Sequence, residues 1–67
     1  MIEQLKIAAN EVRIGDAIRL TALQNTSDRD RLIEVVEVKV SGVFVKLDTA
    51  LGVSEFLPVN RSIAVWR

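Results

Sequence analysis

Side chains that could carry out chemistry are few in this chain of 67 residues. The sequence contains no histidine and no cysteine, which removes imidazole and thiol catalysis together with the usual ligands of zinc. Serines, threonines and carboxylates remain, but without a histidine to act as a base for a nucleophile. We therefore expect no enzymatic activity, no catalytic residue, no cofactor, no metal site and no small-molecule substrate.

The densest group of charged side chains lies in residues 24–31, where Asp28 and Asp30 alternate with Arg29 and Arg31. A calcium-binding loop would also need a glycine and a following glutamate at fixed positions, and this stretch has neither. Alternating charges are typical of a solvated loop, and a charged docking loop is the alternative.

The charge balance of the chain argues against several classes of partner. Nine basic and nine acidic side chains cancel, so the chain lacks the positive field that usually accompanies binding to nucleic acids or anionic membranes. No segment approaches the roughly 18 apolar residues of a membrane-spanning helix, and no apolar segment of signal-peptide type is present. We expect no membrane contact and a cytoplasmic location.

Nucleic-acid binding remains the alternative function despite the zero net charge. In this alternative, Phe44 or Trp66 stacks on a base, as in proteins that bind single strands. The basic residues that would contact phosphate groups are Lys39, Lys46, Arg61 and Arg67.

The apolar composition points to strands and to an interface. Apolar residues make up 49% of the chain and aromatic residues only 4%, so branched aliphatic side chains dominate, as they do in strands. A mean hydropathy of +0.26 is high for a domain so small that it buries only about 60% of its unfolded surface. We expect apolar surface to remain after the core closes, and a homo-oligomer or a protein partner to cover it. A fully aliphatic monomer core is the alternative.

The clearest structural pattern is residues 31–48, which predict a β-hairpin. We predict that Ser41 and Gly42 are the central residues of a tight turn. Val40 then lies opposite Val43. Because side chains alternate between the faces of a strand, this register makes one face entirely apolar. The face that we predict to be core consists of Val36, Val38, Val40, Val43, Val45 and Leu47.

The other face of the hairpin is mixed. The same register places Lys39 opposite Phe44 and Glu37 opposite Lys46, an opposite-charge pair across the strands. Phe44 therefore has no apolar neighbour on this face. We predict that it belongs to an interface, and the alternative is that the N-terminal arm covers it.

Ile33 and Val35 fit this register poorly, because both fall on the outer face if the pairing is continued backwards. A β-bulge near residues 34–36 would place them inside, as happens where a long strand passes between the two sheets of a small barrel. The alternative is an outer apolar patch that adds Ile33 and Val35 to Phe44 as interface residues. Trp66 completes the predicted interface, although a tryptophan in this position can also close the core.

The N-terminal half is less regular. Residues 2–14 fit both a helix and a strand, and we favour an extended arm or strand over a helix. Gly15 and Asp16 predict a turn in which the aspartate carboxylate accepts a hydrogen bond from a nearby backbone N–H. A strand over residues 17–23 follows, with Ile18 and Leu20 facing inwards.

The C-terminal half predicts two further strands. A turn over residues 49–52 ends in a glycine and leads into a strand over residues 53–57, which Pro58 terminates. One tight turn over residues 59–62 precedes a last strand over residues 63–66.

Two short segments resemble parts of a known class of fold. VRIGDAIRL, residues 12–20, is similar to the Gly-Asp entry into the first strand of KOW-like barrels, and LPVNRSI, residues 57–63, to the short turn before their last strand. Over residues 12–67 the chain thus resembles an SH3-like small β-barrel, of the kind found among very small bacterial and phage proteins. KOW-like barrels often bind nucleic acids or ribosomal and polymerase proteins.

The resemblance implies an all-β domain spanning residues 1–67. It would comprise a five-stranded SH3-like barrel over residues 15–67, an N-terminal arm or extra strand over residues 1–14, and one short helical turn before the last strand. Separately from the resemblance, Phe44 on the polar face of the hairpin and the apolar composition lead us to expect a non-catalytic binding or assembly module that acts through protein–protein contacts and associates with itself.

Overall fold

The computed structural model describes residues 2–67, so Met1 of the predicted arm lies outside the described residues. The described chain is all-β, with two short 3₁₀ turns at Ala9–Glu11 and Thr21–Leu23. The strands are β1 (Gln4–Ala8), β2 (Ala17–Ile18), β3 (Ile33–Ser41), β4 (Phe44–Thr49), β5 (Ser54–Pro58) and β6 (Ser62–Trp66).

The six strands form one antiparallel sheet in the order β1-β6-β2-β3-β4-β5. The extended prediction for the N-terminal arm is confirmed, since β1 pairs with β6 and alternates exposed Lys6 with half-buried Leu5 and Ile7. The pairing leaves β1 and β5 at the two ends of the sheet. The predicted closure into a five-stranded barrel is therefore absent from the strand pairing of residues 2–67.

Strand β3 belongs to both halves of the sheet and bends between them. Its first residues, Ile33 and Glu34, pair with β2, whereas its remainder pairs with β4. The register with β4 shifts between Val35 and Glu37, so Val36 is an extra residue. The predicted bulge is thus confirmed, and it buries Ile33 and Val35.

The hairpin turn lies one residue further along the chain than predicted. Ser41 pairs with Phe44, so Gly42 and Val43 are the two turn residues. Gly42 has a φ of +59°, which the first position of a type II′ hairpin turn requires and which side chains other than glycine disfavour. A glycine in this first position matches the twist of the flanking strands, which explains why Ser41 stays in β3.

The predicted core face is only partly buried. Val45 and Leu47 are fully buried, as predicted. Val36, Val40 and Val43 are instead 45%, 59% and 66% exposed. The hairpin therefore extends beyond the core, and half of its predicted core face is in contact with solvent.

The core lies between the two halves of the sheet and includes the N-terminal arm. The arm contributes Ala9 and Val12, and the backbone N–H of Ala9 donates to the Arg61 carbonyl at 2.8 Å. The buried apolar residues are Ala9, Val12, Ile18, Leu20, Ile33, Val35, Val45, Leu47, Leu57 and Val65.

The predicted turn before β2 is confirmed, together with the role of its aspartate. Asp16 N–H donates to the Arg13 carbonyl at 3.0 Å, and the Asp16 carboxylate accepts the Arg13 N–H at 2.9 Å. Gly15 has a φ of +97°. The buried Asp16 carboxylate also accepts two hydrogen bonds from the Arg67 guanidinium, at 2.9 and 3.3 Å. This ion pair fixes the chain end beyond β6 against the turn.

Strand β2 is shorter than predicted, because the chain enters a 3₁₀ turn at Thr21. The Glu55 carboxylate on β5 accepts hydrogen bonds from both the hydroxyl and the backbone N–H of Thr21, at 2.6 and 3.3 Å. A carboxylate at this position satisfies a backbone donor that the turn leaves free. Ile18 and Leu20 are buried, as predicted.

The connections agree with the remaining predictions. Residues 24–31 form an exposed loop of turns, and Gly52 N–H donates to the Thr49 carbonyl at 3.0 Å. Before β6, Arg61 N–H donates to the Pro58 carbonyl at 3.0 Å, so this connection is the predicted single tight turn, and the short helical turn implied by the resemblance is not formed there. Within residues 2–67, neither 3₁₀ turn is long and apolar enough to cross a membrane.

Candidate functional site

The candidate site is the outward surface of β3, β4 and β5, which we call the aromatic face. The strand register arranges its side chains in three rows that run across the strands. From the hairpin turn inwards, the rows are Ser41–Phe44–Pro58, Lys39–Lys46–Phe56 and Glu37–Asp48–Ser54.

Two phenylalanines dominate the aromatic face. Phe44 is 53% and Phe56 is 66% exposed, and they lie on adjacent strands at neighbouring rows. A groove of about 380 Å³ is lined by these two rings with Lys39, Ser41 and Lys46. Adjacent large apolar side chains with this exposure make the aromatic face a candidate interaction surface.

Phe44 was predicted to be at the surface, and the N-terminal arm does not cover it, since the arm packs into the core. Phe56 was not among the predicted site residues. Its signal was present, because the alternation of residues 53–57 places Phe56 on the opposite face from Leu57, and Leu57 is buried.

The charges of the aromatic face are paired along each strand rather than across the hairpin. Lys39 Nζ lies 3.8 Å from Glu37 Oε1, and Lys46 Nζ lies 3.6 Å from Asp48 Oδ1. The predicted cross-strand pair of Glu37 with Lys46 is wrong, because the hairpin register places Lys46 opposite Lys39. The two carboxylates balance the two ammonium groups, so the face has no net charge.

Asp48 is the most constrained charge of this face. The Ser54 hydroxyl donates a hydrogen bond to Asp48 Oδ1 at 2.6 Å. This hydrogen bond, assisted by the positive charges of Lys46 and Lys39, lowers the pKa of Asp48 below its ordinary value of 3.8. Asp48 therefore stays ionised and continues to offset the lysines in mildly acidic solution.

The other predicted interface residues lie elsewhere. Ile33 and Val35 are buried, so their assignment to an exposed interface is corrected. Trp66 lies on β6, which β2 and β3 separate from β4 in the sheet. The guanidinium carbon of Arg19 lies 4.9 Å from the centroid of the Trp66 ring, a cation–π contact.

A second groove, of about 200 Å³, lies beside this contact. Its lining residues are Arg19, Thr21, Glu55, Leu57, Ile63, Ala64 and Trp66. Because Glu55 is hydrogen-bonded to Thr21 and Arg19 is stacked on Trp66, its polar side chains are engaged within the fold.

The four basic residues that were predicted to contact nucleic acid lie at three different places in the structure. Lys39 and Lys46 face each other beside Phe44. Arg61 lies in the exposed turn before β6. Arg67 is bound to Asp16 and to the Glu11 carbonyl, so its guanidinium already has partners within the chain.

Within residues 2–67, no three acidic side chains are grouped so that they could hold a metal ion. Comparison with protein-family models, with curated proteins and with solved structures finds no match to this chain.

Proposed function

We propose that this chain is a non-catalytic binding or assembly module that acts through protein–protein contacts and associates with copies of itself. The observation that carries the proposal is the pair of exposed phenylalanines, Phe44 and Phe56, side by side on a regular sheet. Aromatic side chains are enriched in the centres of protein interfaces, where they lose the most water on binding.

The electrostatics of the aromatic face support a second copy as the partner. Lys39 and Lys46 are each within 4 Å of a carboxylate, so two copies of this face can approach without net repulsion. The zero net charge of the whole chain also allows two copies to approach without net repulsion.

We further propose that the fold is a small barrel of the SH3-like kind. Two features support it. Strand β3 bends at its bulge and serves both halves of the sheet. The Glu55 carboxylate of β5 also bonds to Thr21, which follows β2, so side chains link strands that the sheet order separates.

Sedimentation over a range of concentrations tests the self-association. We expect the wild type to exceed the 7.5 kDa of one chain and the double variant Phe44→Glu/Phe56→Glu to have a lower mass. Ile2→Glu makes the same change at an exposed apolar residue outside the aromatic face, and it serves as the matched control. A wild type that stays monomeric throughout, or a folded double variant with the wild-type mass, would contradict the proposal.

Nucleic-acid binding is the second candidate, and one observation favours it. Lys39 and Lys46 lie opposite each other beside both phenylalanines, an arrangement that could contact phosphate and stack on bases. Titration of a fluorescent single-stranded oligonucleotide at about 50 mM salt tests it, because phosphate contacts are strongest at low salt. Binding that is lost in Lys46→Glu would support this candidate, and no binding at that salt would end it.

A further inference from the structure

Part of strand β3 has a free edge. On the side away from β4, the pairing with β2 ends at Glu34. The last backbone bonds on that side join Val35 to Gly15 and Asp16, at 2.8 and 2.7 Å. Beyond Val35, the turn at residues 13–16 leads the neighbouring segment away from β3. Among residues 2–67, nothing pairs with this side of β3 from residue 37 to residue 41.

The backbone groups of Val38 and Val40 point out from this edge. Ser41 and Phe44 flank a two-residue turn and are therefore hydrogen-bonded to each other. Hydrogen bonding alternates along an antiparallel pair, so Lys39 also bonds to β4 while Val38 and Val40 do not. The bonds on the other side of β4 fit this alternation. Val59 N–H donates to the Val43 carbonyl at 2.8 Å, so Val43 bonds towards β5 and its neighbour Phe44 bonds towards β3.

We infer that a second copy of this chain pairs with this edge, with the two β3 strands antiparallel about a two-fold axis at Val38. The inference rests on the proposed self-association and assigns it a second contact, along the strand edge beside the aromatic face. A strand edge with free donors and acceptors and apolar side chains is a template for a further strand.

The sequence Glu-Val-Lys over residues 37–39 of the edge is complementary to itself in this register. Glu37 of each copy lies opposite Lys39 of the second copy, and Val38 lies opposite its own equivalent. The two pairs of opposite charge and the pair of valines at the axis are both favourable across a ladder.

Other symmetric registers lose this match. An axis at Lys39 would place two lysines directly opposite each other, which is unfavourable. An axis at Val40 would leave Lys39 opposite Ser41 of the second copy and Glu37 without a partner. The charges therefore select the axis at Val38.

The two end strands are less suited to pairing. The same alternation turns Pro58 of β5 outwards, where it has no N–H to donate. On β1, the outward N–H of Ala8 already donates to the Glu11 carboxylate at 3.0 Å, and Lys6 is charged. Proline and lysine on an edge are common ways of preventing strand addition.

Charge reversal tests this register. We expect Glu37→Lys and Lys39→Glu, each alone, to weaken the dimer roughly tenfold, because each creates two like-charge pairs across the axis. Mixing the two variants restores both opposite-charge pairs, so native mass spectrometry should find mixed dimers in excess of either homodimer. Single variants that associate like the wild type, or a mixture without preference for mixed dimers, would overturn the inference.

A backbone test is independent of charge. Val40→Pro removes an N–H that makes no bond to β4, so we expect a folded chain, checked by circular dichroism, that no longer forms the edge dimer. Val40→Ala keeps that N–H and serves as the control. A Val40→Pro variant that is folded and associates like the wild type would argue against pairing at this edge.

Failure of the inference is distinguishable from failure of the proposed function. If Phe44→Glu/Phe56→Glu lowers the mass and the charge variants do not, the aromatic contact stands and the edge contact is wrong. If the charge variants dissociate and the aromatic variant does not, the edge contact stands instead. A wild type that is monomeric at every concentration removes both.

Discussion

At the scale of single residues, Asp48 gives the aromatic face its dependence on pH. Its pKa is lowered mainly by the Ser54 hydroxyl, so the folded state binds a proton less readily than the unfolded state. The resulting stabilisation is complete above the unfolded value, near 3.8, and is lost as pH falls through the lower, folded pKa. Acidification through this lowered pKa should therefore remove both the stabilisation and the partner of Lys46.

We predict that Ser54→Ala raises the pKa of Asp48 towards its ordinary value, because the variant removes the largest cause of the lowering. The variant then loses less of the stabilisation that ionised Asp48 provides when the pH falls. Its free energy of unfolding should therefore change less between pH 5 and pH 2 than that of the wild type. An NMR titration of the Asp48 carboxyl, with urea denaturation at each pH, measures both effects. Ser41→Ala lies on the same face without a bond to Asp48, and it should leave the titration unchanged.

Single residues also show what the sequence could and could not predict about the site. The exposure of Phe44 was predictable, because alternation along a strand is a local property. The role of Arg67 was not, since its partner Asp16 is 51 positions away and only the fold brings the two together. The burial of Ile33 and Val35 was predictable only in part, because it depends on an extra residue in β3 that side-chain alternation alone does not reveal.

At the scale of elements, the register of the hairpin differs from the predicted one. The true pairing is displaced by two positions, with Val40 opposite Val45 instead of Val43. A two-residue displacement leaves each side chain on its original face, so the apolar pattern cannot detect it. Only the turn distinguishes the two registers, through the position of its glycine.

Gly42→Ala tests this turn. The φ of +59° at Gly42 is unfavourable for alanine, although no atom would obstruct the added methyl group. We predict a loss of about 1–2 kcal/mol in the free energy of unfolding, measured by urea denaturation. Val43→Ala, at the next position of the same turn, should have a much smaller effect. Equal losses for the two variants would contradict the type II′ assignment.

At the scale of the whole molecule, all-β structure and the antiparallel strand order of the C-terminal half followed from local patterns. The extent of the core did not. The molecule measures 33 × 26 × 18 Å, and Val40 and Val43, at the hairpin end of its sheet, are 59% and 66% exposed. Periodicity identifies which side chains share a face, but not whether another element covers that face.

The two proposed contacts together predict the size of the assembly. The edge contact has its two-fold axis perpendicular to the sheet, and a contact between two aromatic faces has its axis within the sheet plane. Perpendicular two-fold axes close at four chains where they intersect. With 7.5 kDa per chain, we expect a species of about 30 kDa by native mass spectrometry.

Variants should divide this assembly in two different ways. Phe44→Glu/Phe56→Glu should leave edge dimers, whereas Val40→Pro, outside the aromatic face, should leave dimers joined through their aromatic faces. Combining the three substitutions should give monomers. A wild type that forms open-ended polymers would contradict the closed symmetry.

The alternation of hydrogen bonds along β3 also has a kinetic consequence. In an isolated chain, the amide protons of Lys39 and Ser41 are held by β4, whereas those of Val38 and Val40 face water. Exchange with deuterium should therefore be slow and fast at successive residues of one strand. If a second copy occupies the edge, the fast amides slow as protein concentration rises while their neighbours stay unchanged. Successive residues of β3 would then report separately on folding and on association.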